Sequence, residues 1–214
     1  MPIQNQGFGG VIQEVEDTST RAGRVVAKPY AYGTLGHYKG LLSVLSVAAQ
    51  AANARLIVIR NNAANLVLIN RLMLRAQQEV AGTAQQNAID VYKLTGFTAL
   101  DTTSTATPTL TEVRVTEMAA SPGGIQVRTS TAAAGMTGGT STKGALIGSL
   151  PYDVKAGIVQ AGFGPIDVVD FQNGGHPITL KQNEGILVEN RILNVTSYGI
   201  RWYVDLSLAE VTAF

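Results

Sequence analysis

His37 and His176 are the only imidazoles in the chain, so base, proton-shuttle or metal chemistry has to be built on one of them or on carboxylates. His37 stands in Leu35-Gly-His-Tyr38, and His176 precedes Pro177 in a glycine-rich turn. A hydrolytic triad needs a nucleophile, a base and an orienting carboxylate in mutual contact. No G-x-S-x-G elbow marks a serine for that role. Two separated histidines are also too few for a catalytic zinc or non-haem iron centre. Both read as turn or surface residues. With no Cys in the chain, disulfides, thiolate nucleophiles and Cys-ligated metals are excluded.

Gly135-Met-Thr-Gly-Gly-Thr-Ser-Thr-Lys-Gly144 has the look of a phosphate-binding loop. The Walker pattern needs Gly directly before Lys and Ser or Thr directly after it. Here Thr142 precedes Lys143 and Gly144 follows, so the magnesium-binding hydroxyl is missing. Asp167, Asp170, Glu184, Glu189 and Asp205 could pair for glycoside hydrolysis, but they are scattered, and acids on strands usually face solvent. Asp153, Asp167 and Asp170 lie near turns without the D-x-D-x-D-G spacing of a calcium loop. Trp202, the sole tryptophan, shares a face with aliphatic residues, which suits core packing better than sugar stacking. No catalytic residue, metal or cofactor is expected, and the chain reads as a non-enzyme.

The elements that would hold these residues are strands. From Ile200 to Leu208, Ile200, Trp202, Val204, Leu206 and Leu208 alternate with Arg201, Tyr203, Asp205 and Ser207. Period-two alternation marks a half-buried strand. Asn65–Gln77 is read the same way, with Leu66, Leu68, Leu72 and Leu74 on one face, Asn70 the exception, and Val67, Ile69, Arg71, Met73, Arg75 and Gln77 on the other, although 71–80 alone also suits a helix. Asn61-Asn62 and the following Ala-Ala-Asn read as a hairpin loop after the β-rich run 55–60. A weak echo relates 56–80 to 186–211, as a similar strand–loop–strand hairpin used twice. Further β-compatible runs are 24–27, 40–47, 89–94, 113–115, 125–128, 166–171 and 178–180, although 41–52 also suits a short helix. Gly- and Pro-containing turns separate several of them. The expected fold is all-β, an antiparallel jelly-roll-like sandwich over 21–214 with an extended N-terminal arm over 1–20.

Composition narrows the function classes. The 214 residues carry 16 Lys+Arg against 15 Asp+Glu, a net charge of +1. That argues against a nucleic-acid partner, which calls for a basic stripe. Charged residues are 14%, below the roughly 25% of soluble proteins. Hydrophobic residues reach 45% and mean hydropathy is +0.14, so some apolar surface is expected to be covered by other subunits. The N-terminus lacks a secretory pattern. The longest apolar stretch, Leu41–Ile59, is broken by Ser43, Ser46, Gln50, Asn53 and Arg55, so no membrane span is expected. Thr98–Thr142 contains 13 Thr and 5 Gly and reads as long surface loops. Ile3, Phe8, Val11 and Ile12 are sparse apolar anchors of the arm. Candidate interface residues are Ile3, Phe8 and Ile12, with Arg201 and Tyr203 on the polar face of the last strand.

The stretch His176–Glu210 reads HPITLKQNEGILVENRILNVTSYGIRWYVDLSLAE. It has a His-Pro-aliphatic strand, a Glu-Gly turn, a strand ending near Asn and Arg, and a last strand closing on an acid. In this layout it resembles structural proteins of tailed-bacteriophage virions, of the capsid decoration or cement type. The resemblance implies a jelly-roll subunit, often trimeric, seated on a major capsid protein in a virion assembled in the host cytoplasm, and it brings no catalytic residues. A receptor- or glycan-binding head or tail-fibre module, and an enzyme on the same scaffold using His176 and the scattered acids, remain as alternatives.

Overall fold

The computed structural model describes residues 3–6, 12–15, 36–114, 124–157, 159, 162–170, 176–195 and 199–211. They form strands and no helix: β1 (Ile3–Gln6), β2 (Ile12–Val15), β3 (Gly36–Val47), β4 (Arg55–Asn61), β5 (Leu66–Gln78), β6 (Gln85–Ala99), β7 (Thr111–Arg114), β8 (Ile125–Thr129), β9 (Thr140–Val154), β10 (Phe163–Asp170), β11 (Ile178–Leu180), β12 (Gly185–Asn190) and β13 (Gly199–Val211). No described helix is long and apolar enough to cross a membrane.

Two antiparallel sheets carry the architecture. One runs β10-β5-β13-β3-β7, with β11 beside the first half of β5, and the other runs β8-β4-β12-β6-β9. Most of the pairing is nested: β3 with β13, β4 with β12, β5 with β10 and β11, β6 with β9. Residues far apart in sequence are therefore strand neighbours. The registers also bring the β3–β4, β5–β6, β9–β10 and β12–β13 connections to one end, where Val47 faces Gly199, Ile200 faces Gln78 and Val154 faces Gln85.

One hydrophobic cluster draws on both sheets. Leu42, Val44, Leu72, Leu74, Trp202, Val204 and Leu206 meet Leu56, Ile57, Ile59, Ile89, Val91, Leu150 and Ile186. The inward residues of β13 are the alternating set expected from sequence. Burying each such side chain contributes about 1.5–3 kcal/mol, and this shared core makes a β-sandwich of the pair of sheets.

Several expectations need correction. In β5 the inward residues are Val67, Ile69, Leu72, Leu74 and Ala76, not one unbroken alternation. Ser207 pairs with Arg71 and Leu208 with Ile69, so Asn70 is an extra residue. This β-bulge moves every later side chain to the opposite face. The β4–β5 and β12–β13 connections are not hairpins, because each passes from one sheet to the other. Asn61 shapes the first crossing: its amide donates to the Asn65 and Leu180 carbonyls, and its Oδ1 accepts from Ala63 N–H at 3.1 Å. The two units of the sequence echo lie against each other, β4 on β12 and β5 on β13.

The segment 41–47 is strand rather than helix, and β9 occupies a stretch whose first residues were read as loop. The Thr-rich segment is also less open than expected. Leu100 and Met136 pack with Val58, Leu94, Phe97 and Leu187 in a second buried cluster, and Thr103 bridges Thr137. The run 24–27 and Phe8 lie outside the described residues. β1 and β2 pair with each other.

Candidate interaction surface

The strand pairing settles where the chemistry-bearing residues go. Among the described residues, no three of His, Cys, Asp and Glu gather as a metal site. His37 Nε2 lies 2.8 Å from Ser207 Oγ across β3 and β13. Sequence reading did not pair them because they are 170 residues apart. His176 is exposed just ahead of β11 and lines neither of the two depressions described below.

Several of the acids are held by cations. Asp90, missed as a candidate, faces Glu189 across β6 and β12. Arg191 forks onto Asp90 at 2.8 and 2.6 Å and also donates to Ser149 Oγ. Burial by itself raises the Asp90 pKa, but the hydrogen bonds from Arg191 and Ser149 outweigh it, so the carboxyl sits below its ordinary range. Lys143 Nζ reaches Glu189 at 2.8 Å and lies 4.6 Å from the Tyr92 ring centroid. The Glu189 hydrogen bond raises the Lys143 pKa, and burial raises that of the Tyr92 hydroxyl. Acid–base catalysis by two carboxylates needs one of them kept protonated. Asp90 is instead held ionised. Glu184 pairs with Lys93 at 3.1 Å.

Arg201 and Tyr203 project from the outer face of the six-stranded sheet, where charges form a cross-strand ladder. Arg201 grips both oxygens of Glu79, its Nη2 at 2.9 Å, and donates to Ser43 Oγ. These bonds lower the Glu79 pKa and raise that of Arg201. Arg75 lies 3.7 Å from Asp205 and 5.4 Å from the Tyr203 ring centroid, and Arg71 lies 3.9 Å from Asp167. Partly exposed pairs like these add little stability, about 0–1 kcal/mol each. They present a polar, charge-balanced face. The side chains of Ile3 and Ile12 are outside the described residues, as is Phe8.

The exposed apolar side chains lie elsewhere. Val80, Val159, Ile192 and Leu193 sit in connections at the shared end of the sandwich, Leu41 on the outer face of β3 and Leu146 on β9. Side-chain amides fix that end. Asn87 Nδ2 donates to Asn190 Oδ1 and Asn194 Oδ1, Asn194 Nδ2 to the Val47 carbonyl, and Gln85 Nε2 to the Leu193 carbonyl. Asn194 is 2% exposed, so its side-chain amide is closed to glycosylation in the folded chain.

Two open depressions lie among the described residues. One, of about 360 Å³, lies between Arg75, Phe163, Pro165 and Tyr203. The other, of about 430 Å³, is lined by Thr and Ser residues of 102–105 and 129–131 together with Ala106 and Ala132. Neither lining includes a carboxylate or a histidine. Comparison with protein-family models, curated proteins and solved structures finds no match to the chain.

Proposed function

We propose that the chain is a non-enzymatic structural subunit of a virion. It is a capsid decoration or cement protein of jelly-roll form, working as a homo-oligomer, a trimer, against the major capsid protein. The observation that carries this reading is the nested order of the strands. Among the eight strands β3, β4, β5, β6, β9, β10, β12 and β13, the pairing of first with last, second with seventh, third with sixth and fourth with fifth supports a jelly-roll winding, a fold of viral capsid and lectin domains. On this reading β1 and β2 belong to an arm, and β7 and β8 are additions. Fold alone does not dictate function, so the surface chemistry matters as well.

That chemistry favours contact over catalysis. Asp90 and Glu79 are held ionised by their arginines, the depressions are open, and several exposed apolar residues sit in connections at one end. Weak contacts repeated by symmetry would hold the subunit on its shell by avidity. The test is co-sedimentation of the purified chain with particles that lack it. Saturable binding that raises the particles' heat resistance supports the proposal. Absence of binding, or turnover of a polysaccharide by the free chain, contradicts it.

A glycan-binding module is the second reading, and the Thr- and Ser-rich depression at 102–106 and 129–132 favours it. Retention on a glycan array that Thr105→Ala and Ser130→Ala abolish would select it over the cement role.

A further inference from the structure

We propose that the open edge of β3 is completed by β1 of a second copy of the chain, added as a further strand. This rests on the reading of the chain as a self-associating subunit and names the contact through which copies join.

The first observation is an unguarded edge. β13 pairs with β3 along Gly36–Val47, but on the other side β7 reaches only His37–Lys39. Among the described residues no strand pairs with that side of β3 from Gly40 to Ser46, and beyond it the Val47 carbonyl is taken by Gln50 N–H and Asn194 Nδ2. The open stretch is Gly-Leu-Leu-Ser-Val-Leu-Ser, with no charge and no proline. Leu41 within it is 58% exposed. Natural edges are blunted by Lys, Pro, bulges or covering segments, because unpaired N–H and C=O groups recruit other strands. The edges of the other sheet follow that rule: β9 carries Lys143 and Pro151, and β8 carries Arg128. The β3 edge does not.

The second observation is a ribbon without a sheet. β1 and β2 pair with each other over four positions, and neither pairs with a main sheet. An isolated two-stranded ribbon is marginal in water. β1, Ile-Gln-Asn-Gln, is uncharged like the open edge, whereas β2 carries Glu14. Twenty residues separate Val15 from Gly36, a length that spans at most about 66–72 Å when extended. That reach extends to a neighbouring subunit. Strand addition joins the two through main-chain hydrogen bonds, with alternate side chains setting the register.

The chain has no cysteine, so introduced thiols report the contact cleanly. A Gln4→Cys chain mixed with a Ser43→Cys chain and oxidised should give a disulfide-linked heterodimer. The expected yield is several-fold above a control mixture of Gln4→Cys with Gln77→Cys, which sits on β5. Deleting residues 1–20 should abolish the oligomer. A cross-link no better than the control, an oligomer that survives the deletion, or a disulfide formed only within one Gln4→Cys/Ser43→Cys chain would overturn the proposal. In those three cases the full-length chain still sediments as an oligomer and the broader reading stands. A monomeric full-length chain defeats both.

Discussion

Trp202 of β13 and Tyr152 of β9 meet edge to face, their ring centroids 4.6 Å apart, and so join the two sheets through aromatic contact. The indole N–H is satisfied within the core by Ser46 Oγ at 2.7 Å. Trp202→Ala therefore removes a filled volume at a junction, and its expected cost is about 3–5 kcal/mol. Ser46→Ala leaves a buried donor unmade and should cost about 1–3 kcal/mol. Trp202 is the only tryptophan, so denaturant titration of Ser46→Ala can be followed by its emission, and Trp202→Ala by circular dichroism. A Ser46→Ala midpoint equal to that of the wild type would contradict this account of the indole.

Gly185 opens β12 where a side chain has no room. A Cβ there would fall 2.2 Å from the Ile59 carbonyl oxygen and 2.8 Å from the Phe97 ring. Gly185→Ala is expected to destabilise by at least about 1–3 kcal/mol, the usual cost of overpacking. Gly162→Ala, whose Cβ would meet only the Ala76 carbonyl at 3.5 Å, should stay within about 0.5 kcal/mol of the wild type. Urea unfolding of the pair measures the contrast.

The Asp90–Arg191 pair contributes to the acid limb of the stability profile. A carboxylate whose folded pKa is depressed contributes stability above its unfolded pKa, about 3.9 for Asp. That contribution is lost as pH falls through the lower folded value. Asp90→Asn should therefore lie furthest below the wild type near neutral pH and converge with it below about pH 4. A gap that stays constant from pH 7 to pH 2 would contradict the assignment. Glu79→Gln should show the same sign, with an effect that shrinks in high salt because the Arg201 pair is partly exposed.

Asn87 anchors the β12–β13 connection. Its Oδ1 accepts from the Ile192 and Ala88 N–H groups, and its Nδ2 donates to Asn190 and Asn194. Asn87→Ala leaves several buried groups unmade and is expected to cost about 3 kcal/mol. It should also raise amide hydrogen exchange at Ile192 and Val195. Unchanged protection at both would refute the anchoring role.

The parts of the fold legible in sequence were those with local periodicity. β13 announced its inward face because its alternation runs uninterrupted from Ile200 to Leu208. β5 hid its facing because one extra residue, Asn70, reverses the phase midway. β9 escaped notice because Lys143, Gly144 and Gly148 dilute its pattern, and its register against β6 shifts three times. The β4–β5 and β12–β13 connections read as hairpins because a short polar loop carries no local mark of which sheet the next strand joins. At the surface, Arg201 and Tyr203 were legible as outward residues. The Ser207–His37 contact and the Asp90–Arg191 fork were not, since both depend on strands brought together from distant sequence.

Self-association is the claim on which the functional account depends, and the solution mass of the purified full-length chain at micromolar concentration tests it most directly. Light scattering coupled to gel filtration should return three times the 22.5 kDa chain mass. A species of 22.5 kDa that persists across the concentration range would contradict the account.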